Sequence, residues 1–228
     1  MRMDKFLTQL KYTTRSQIKD FLKQHVVMKN HQVVKNPKDD INPNVDILTI
    51  DGHKVFYQED VHLMLYKPKG YLSANKDNMH PCAVDLIKEP YHRFEYAIAG
   101  RLDLDAEGLL ILTTDGTLVH DITSPKKHLP KVYEVKLDQP FTLTDALTKG
   151  VTIKDGKDEL YVAKAIDLIV NEDVIYITID EGKFHQVKRM FQAIGYEVTH
   201  LKRIQIGNLK LGDLLPGEYI EFHKEQLL

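Results

Sequence analysis

Phe6, Leu7 and Leu10 recur at helical spacing, and a polar break at Tyr12-Thr13 separates them from a second periodic run, Ile18, Phe21 and Leu22. Thr14 and Gln17 stand three apart just before that run. This is the spacing of a capping box, and it predicts a helix start there. The pattern then changes period. Val26-Val27-Met28, a polar Lys29-Asn30-His31 and Val33-Val34 predict a short hairpin, with Asn tolerating the positive φ a tight turn needs. Asp39 to Asn44 reads as loop, and Val45, Ile47 and Ile50 as a strand closed by Asp51-Gly52. Beyond residue 60, short apolar runs alternate with turn signals. Leu63-Met64-Leu65-Tyr66 ends at Lys67-Pro68-Lys69-Gly70, and Leu109 to Leu112 ends at Asp115-Gly116. Val132, Val135 and Leu137 predict one further strand and Val174 to Ile179 another, the latter entered through the turn Asn171-Glu172-Asp173. Helices are expected over 143–147 and 185–194, the second stopping at a left-handed Gly195. The chain thus divides into a small module over 1–60 and a strand-rich α+β domain over 61–228.

Composition narrows the chemistry. The chain has 228 residues, 43% hydrophobic and 28% charged, enough to bury a core. The single Cys82 excludes a disulfide framework and any multi-cysteine metal site. No run approaches 18 apolar residues, and the start lacks the apolar stretch of a secretory signal, so a soluble, cytoplasmic protein is expected. Net charge is −2, which on its own argues against a nucleic-acid partner. Its distribution argues otherwise. Residues 1–38 hold nine Lys/Arg and two acids, a net +7, while the remainder holds 22 basic and 31 acidic residues, a net −9. On the second predicted helix Arg15, Lys19 and Lys23 follow at i, i+4 and i+8. They form one basic stripe able to track phosphates, although alone it would pass for a solvated face.

Three segments of the body hold candidate chemistry. In Gly100-Arg101-Leu102-Asp103-Leu104-Asp105 a glycine and a charged cluster precede a buried-looking strand, a place to hold a carboxylate rigidly at a pocket rim. In Lys131-Val132-Tyr133-Glu134-Val135, strand alternation puts Lys131, Tyr133 and Val135 on one face. There an aromatic ring can stack on a base while a cation meets a phosphate. Ser124-Pro125-Lys126-Lys127-His128 adds a basic loop just upstream. The third segment is Glu181-Gly182-Lys183-Phe184-His185-Gln186-Val187-Lys188-Arg189-Met190-Phe191. Its helical apolar face is Val187, Met190, Phe191 and Ile194, with Lys188 on the flank and Arg189 nearly opposite, toward solvent or RNA. Each segment alone has an ordinary structural explanation: a capped turn, a half-buried strand tyrosine, a charged helix surface.

Together they are far more specific. The Gly-Arg-Leu-Asp, Lys-x-Tyr and Glu-Gly-Lys-x-His-Gln-Val-Lys-Arg-Met motifs, in that order, resemble the pseudouridine synthases, and within them the RsuA-like branch. Leu65-Tyr66-Lys67-Pro68-Lys69-Gly70 is similar to the first motif of that family. The head, through Arg2-Met3-Asp4-Lys5-Phe6-Leu7 and Thr14-Arg15-Ser16-Gln17, resembles the S4 RNA-binding domain. One departure is Ala106, where the family commonly has a Thr or Ser hydroxyl. The resemblance implies an S4-like domain followed by a catalytic domain with a mixed, mostly antiparallel sheet. It further implies isomerisation of a uridine in RNA to pseudouridine with no cofactor and no metal. Asp103 then corresponds to the catalytic acid, Tyr133 to the ring that stacks on uracil, Lys188 to the basic partner of the acid, and Arg101 to the arginine beside it. RNA contacts are expected from Arg101, Lys126, Lys127, Lys131, Arg189, Arg2, Lys5, Arg15, Lys19 and Lys23. The implied partner is ribosomal RNA or an assembling ribosomal particle, most closely the small-subunit RNA, met by a monomer with no membrane involved. The alternatives are a large-subunit RNA synthase and a non-catalytic RNA-binding assembly factor. A glycoside hydrolase would need two cooperating carboxylates, and Asp103 and Asp105 stand too close in sequence for that pair.

Overall fold

The N-terminal apolar pattern forms α1 (Met3–Gln9), which buries Met3, Phe6 and Leu7, and α2 (Ile18–Gln24), which buries Ile18. The computed structural model describes residues 1–124, 127 and 129–227. The expected capping box does not form. Residues 14–17 make a turn in which Gln17 N bonds the Thr14 carbonyl, so Gln17 becomes the N-cap, and the Thr14 hydroxyl donates to Gln17 Oε1 at 2.9 Å. Strands β1 (Val27–Lys29), β2 (Gln32–Val33), β3 (Leu48–Ile50) and β4 (His53–Lys54) form a sheet in the order β2-β1-β3-β4. In the β1–β2 turn Asn30 has φ 48° and His31 φ 67°, the two positive values of a type I′ turn. Asn30 also donates to Asp46 at 2.6 Å and accepts from Ile47 N at 2.8 Å. Asp46 in turn accepts from Asn42 N, closing a loop that leaves Val45 75% exposed and delays β3 to Leu48.

This first compact unit spans Met1–Val61 and also takes in Ile87–Tyr96, a segment the sequence reading assigns to the second domain. Side-chain contacts tie it in. Lys11 Nζ donates to the Phe94 carbonyl at 3.1 Å, the Arg93 guanidinium lies 4.1 Å from the Tyr12 ring centre, and Phe56 meets Tyr91 and Phe94 edge-on.

The second unit, His62–Leu86 and the chain from Ala97 onward, is built on a nine-stranded sheet. Its strands are β5 (His62–Lys67), β6 (Ala97–Ala99), β7 (Glu107–Thr113), β8 (Lys131–Leu137), β11 (Asp167–Asn171), β12 (Val174–Ile179), β13 (Val198–Ile206), β14 (Leu209–Lys210) and β15 (Tyr219–Glu221). The main path runs β11-β12-β8-β13-β7-β5-β15, with β6 paired to β7 and β14 to β13. All these pairings are antiparallel except that of β13 with β7. A separate ribbon pairs β9 (Val151–Lys154) with β10 (Leu160–Ala163). The helices are α3 (Gly116–Thr123), α4 (Ala146–Lys149) and α5 (Gln186–Ala193). α4 starts three residues later than the apolar pattern predicts, because the Thr144 hydroxyl accepts from Ala146 N and leaves Leu143 outside, 71% exposed.

Burial follows the sequence pattern closely. The continuous apolar run of β7 is covered throughout, with Leu109 to Leu112 at 0% exposure, as expected of an inner strand. β8 alternates, with Lys131, Tyr133 and Val135 inward. One apolar core surrounds Tyr133, Ile177 and the inner face of α5; another surrounds β5, β7 and α3. Among the described residues no helix is long and apolar enough to cross a membrane.

Candidate active site

Asp103 lies in the loop between β6 and β7, and the body of the domain pins that loop from below. The Ser73 hydroxyl donates to the Leu102 carbonyl at 2.8 Å and accepts from Leu102 N at 3.0 Å. Gly70 N bonds the Leu104 carbonyl. Lys67, fully buried at the end of β5, donates to the carbonyls of Pro68 and Ala106 at 2.9 and 2.7 Å. Burial pulls its ammonium down to about 8, against the opposing pull of Asp103, Asp105 and Glu107. Ala106 itself is fully buried in the core beside Tyr133, so its methyl is packed and its backbone is held by Lys67.

Above this base the expected acid meets the expected base. Lys188 Nζ, reaching in from α5, is 3.2 Å from Asp103 Oδ2 and 2.6 Å from Asp105 Oδ1. Burial pushes the Asp105 carboxyl upward, but the Lys188 hydrogen bond and charge outweigh it and leave it below the usual range. His185 Nε2 lies 3.4 Å from Asp103 Oδ1. His185 is the N-cap of α5, with φ 52°, a left-handed conformation uncommon outside glycine and concentrated at functional sites. Buried Gln186 steadies this turn, accepting from Lys183 N at 3.0 Å and donating to Glu181 at 3.3 Å.

The carboxylate opens onto a cavity of about 290 Å³ whose wall includes Tyr133, Lys131, Arg203, Leu201, Ile179 and His185. Arg203 on β13 is 1% exposed and joins three elements. It donates to the Leu109 carbonyl at 2.8 Å, to the Gly100 carbonyl, and to the Tyr133 hydroxyl oxygen at 3.3 Å. A guanidinium has no lone pair to offer, so the phenol oxygen is the acceptor and its own O–H remains available for another partner.

The other expected contact residues fall into distinct places. Arg101 is exposed at the cavity rim, and Lys127 is exposed, 3.5 Å from Asp121. Lys126 lies outside the described residues. Lys131 does not offer its charge to solvent. The face it shares with Tyr133 is the buried one, leaving it 5% exposed with Nζ on the Leu129 carbonyl. Arg189 does not point away into solvent either: its guanidinium donates to the carbonyls of Lys154 and Asp155 at 2.6 and 2.7 Å and braces the β9–β10 ribbon. In the first unit Lys5, Arg15, Lys19 and Lys23 are exposed, Lys23 lies 3.2 Å from Asp20, and Arg2 is engaged by Asp4. Lys19 and Lys23 line a shallow groove with Lys35.

Sequence reasoning missed Arg203 and His185. The first stands beside Lys202 in a strand of mixed character and carries no local signal; the second lies in the third motif, as the first residue of the expected helix, and was given no role.

A carboxylate paired with an ammonium stands at the rim of an open cavity that has a phenol and buried cations on its wall. The comparisons with known proteins make the class specific. The model for the RNA pseudouridylate synthase family matches residues 61–193. The uncharacterized RNA pseudouridine synthase YtzG of Bacillus subtilis (strain 168) is 43% identical over 233 aligned residues, covering 100% of this chain and 97% of its own. The ribosomal small subunit pseudouridine synthase A of Escherichia coli (strain K12) is 35% identical, covering 100% of this chain and 98% of its own. A pseudouridylate synthase crystal structure superposes with a TM-score of 0.66 at 34% identity over 100% of this chain and 98% of that one. The chain belongs to the RNA pseudouridine synthases, enzymes that isomerise uridine within RNA.

Proposed function

We propose that this protein isomerises a uridine of small-subunit ribosomal RNA, with Asp103 as the reacting carboxylate. The observation that carries the assignment is the Asp103–Lys188 pair at 3.2 Å on the rim of the cavity that Tyr133 lines. The ammonium orients the carboxylate toward the cavity, where a reacting group would meet it. Tyr133 supplies the stacking face for the base, and Arg101, exposed at the rim, contacts the RNA backbone or fills the space the displaced nucleotide leaves in the RNA. A uridine must leave its stack to enter, at a cost of a few kcal/mol that unpaired RNA lowers. The small-subunit substrate is favoured by full-length similarity to proteins of that name.

The first unit serves in this reading as an S4-like docking module. Two short helices against a small sheet, with Arg15, Lys19 and Lys23 exposed, support it. Phosphate contacts of this kind orient the enzyme while the cavity selects the base. Incubating the protein with small-subunit RNA, free and in partly assembled particles, and mapping pseudouridine tests the assignment. New pseudouridine at a small-subunit site is the expected result. Modification confined to large-subunit RNA would redirect the substrate, and none in any ribosomal RNA would sink it.

A further inference from the structure

Lys131 differs from the other lysines of the domain. It is 5% exposed, lines the cavity two residues from Tyr133 on the same strand face, and among the described residues donates one hydrogen bond, to Leu129, with no ion pair within 4 Å. An ammonium has three N–H donors. With one protein acceptor, the other N–H groups are left for water or for a group bound in the cavity that Lys131 lines. The contrast with Lys67 is direct: that lysine is equally buried, has two carbonyl acceptors and stands outside the cavity lining.

We propose that Lys131 stabilises the negative charge uracil acquires when its bond to the ribose breaks. This rests on the reading of the cavity as the uracil site. When the C1′–N1 bond breaks, its electron pair leaves with the ring and spreads over N1, O2 and O4. The Lys131 ammonium donates a hydrogen bond to a ring carbonyl oxygen as that charge develops, a fixed donor in a water-poor site. The ring then turns and C5 bonds C1′; the C5 hydrogen departs as a proton and N1 takes one up. Lys131 keeps its own proton throughout, and nothing is oxidised or reduced. A mere phosphate contact would have no reason to be sequestered this way. Burial, joined by the charge of Arg203 from β13 and opposed by Asp180 after β12, holds the ammonium at about 8. The remaining charged or titratable groups of the cavity are Arg101, Asp103, Tyr133, Glu181, Lys183 and His185.

The test uses the full chain and an RNA it modifies, following single-turnover tritium release from C5 of the target uridine. Lys131→Met is expected to slow that step by about 100-fold while RNA affinity stays within about 3-fold, with Lys131→Arg recovering part of the rate. The deficit shrinks when the target is 4-thiouridine, whose ring carries negative charge more readily; damage to packing alone would slow both bases equally. In the wild type the rate declines as pH rises through about 8, and Lys131→Arg, which stays cationic, lacks that decline. That profile remains readable even if Lys131→Met fails to fold. Near-wild-type turnover by Lys131→Met, equal deficits on the two bases, or a wild-type rate that holds up to the pH where free lysine titrates would each overturn the proposal. A wild-type protein that forms no pseudouridine would instead remove the functional reading beneath it.

Discussion

At the scale of single residues, the proposed function separates a group that would react, Asp103, from groups that hold it. Asp103→Asn keeps the shape and loses the charge, so RNA binding should remain near wild type while turnover falls by at least about 1000-fold, read by single-turnover rate against anisotropy binding. Asp105 is a different matter. It shares Lys188 at 2.6 Å but its side chain is 72% exposed, so Asp105→Asn should change turnover only about 2- to 10-fold. A loss as deep as that of Asp103→Asn would make Asp105 a reacting group. That Asp103, Tyr133 and Lys188 come together was legible through three short motifs whose order resembles a family's. Arg203 was not. Its three acceptors come from residues 100, 109 and 133, and no local pattern in the 198–206 strand announces them. Lys131 was legible as a position and misread as an environment: alternation put it on the Tyr133 face, but alternation does not say whether that face meets solvent or a core.

Elements show how close backbones set the sheet. Gly108 pairs with Arg203 where β7 and β13 run parallel, at φ 106°, and a Cβ there would come within 2.2 Å of the Arg203 carbonyl oxygen. Gly108→Ala should therefore cost about 3 kcal/mol or more, or abolish soluble expression, whereas Gly52→Ala, left-handed but facing open space, should cost about 1 kcal/mol in urea unfolding. In the β1–β2 turn His31 holds φ 67° with no glycine, so His31→Gly should stabilise the protein by about 0.5–1 kcal/mol. The strands 174–179 and 131–137 and the stop at Gly195 followed directly from pattern and turn chemistry. α2 and α4 started later than expected because local hydrogen bonds at Thr14 and Thr144 compete with the helix, a choice that residue spacing does not contain.

For the whole molecule, buried lysines set a pH signature. The folded-state values of Lys67 and Lys131, about 8, lie below the ordinary 10.5, so the unfolded chain binds more protons between those limits. The penalty for burying charge is therefore full below about pH 8 and is relieved as pH rises. Relative to Lys67→Met, the wild type should gain on the order of 1–3 kcal/mol between pH 8 and 10, seen as a rise of its urea midpoint against that of the variant. Above pH 10 the buried Tyr161 phenol, raised to about 12, works in the opposite direction. Charge distribution gives a second prediction. Replacing Arg15, Lys19 and Lys23 with Ala should weaken RNA binding and flatten its salt slope by about 2, with uridine selectivity unchanged. A slope identical to wild type would mean that this stripe does not meet the backbone of RNA.

The parallel crossing of β13 and β7 has a consequence in time. Among the described residues of the main sheet, β13 alone hydrogen-bonds the half containing β8 to the half containing β7. Tyr133 belongs to one half and Asp103 to the loop leading into the other, and Arg203 bolts them together. A ribosome making this chain must therefore release residues 198–206 before either half can find its mate, and pairings so distant in sequence close slowly. The two walls of the cavity cannot be joined until most of the chain has been made.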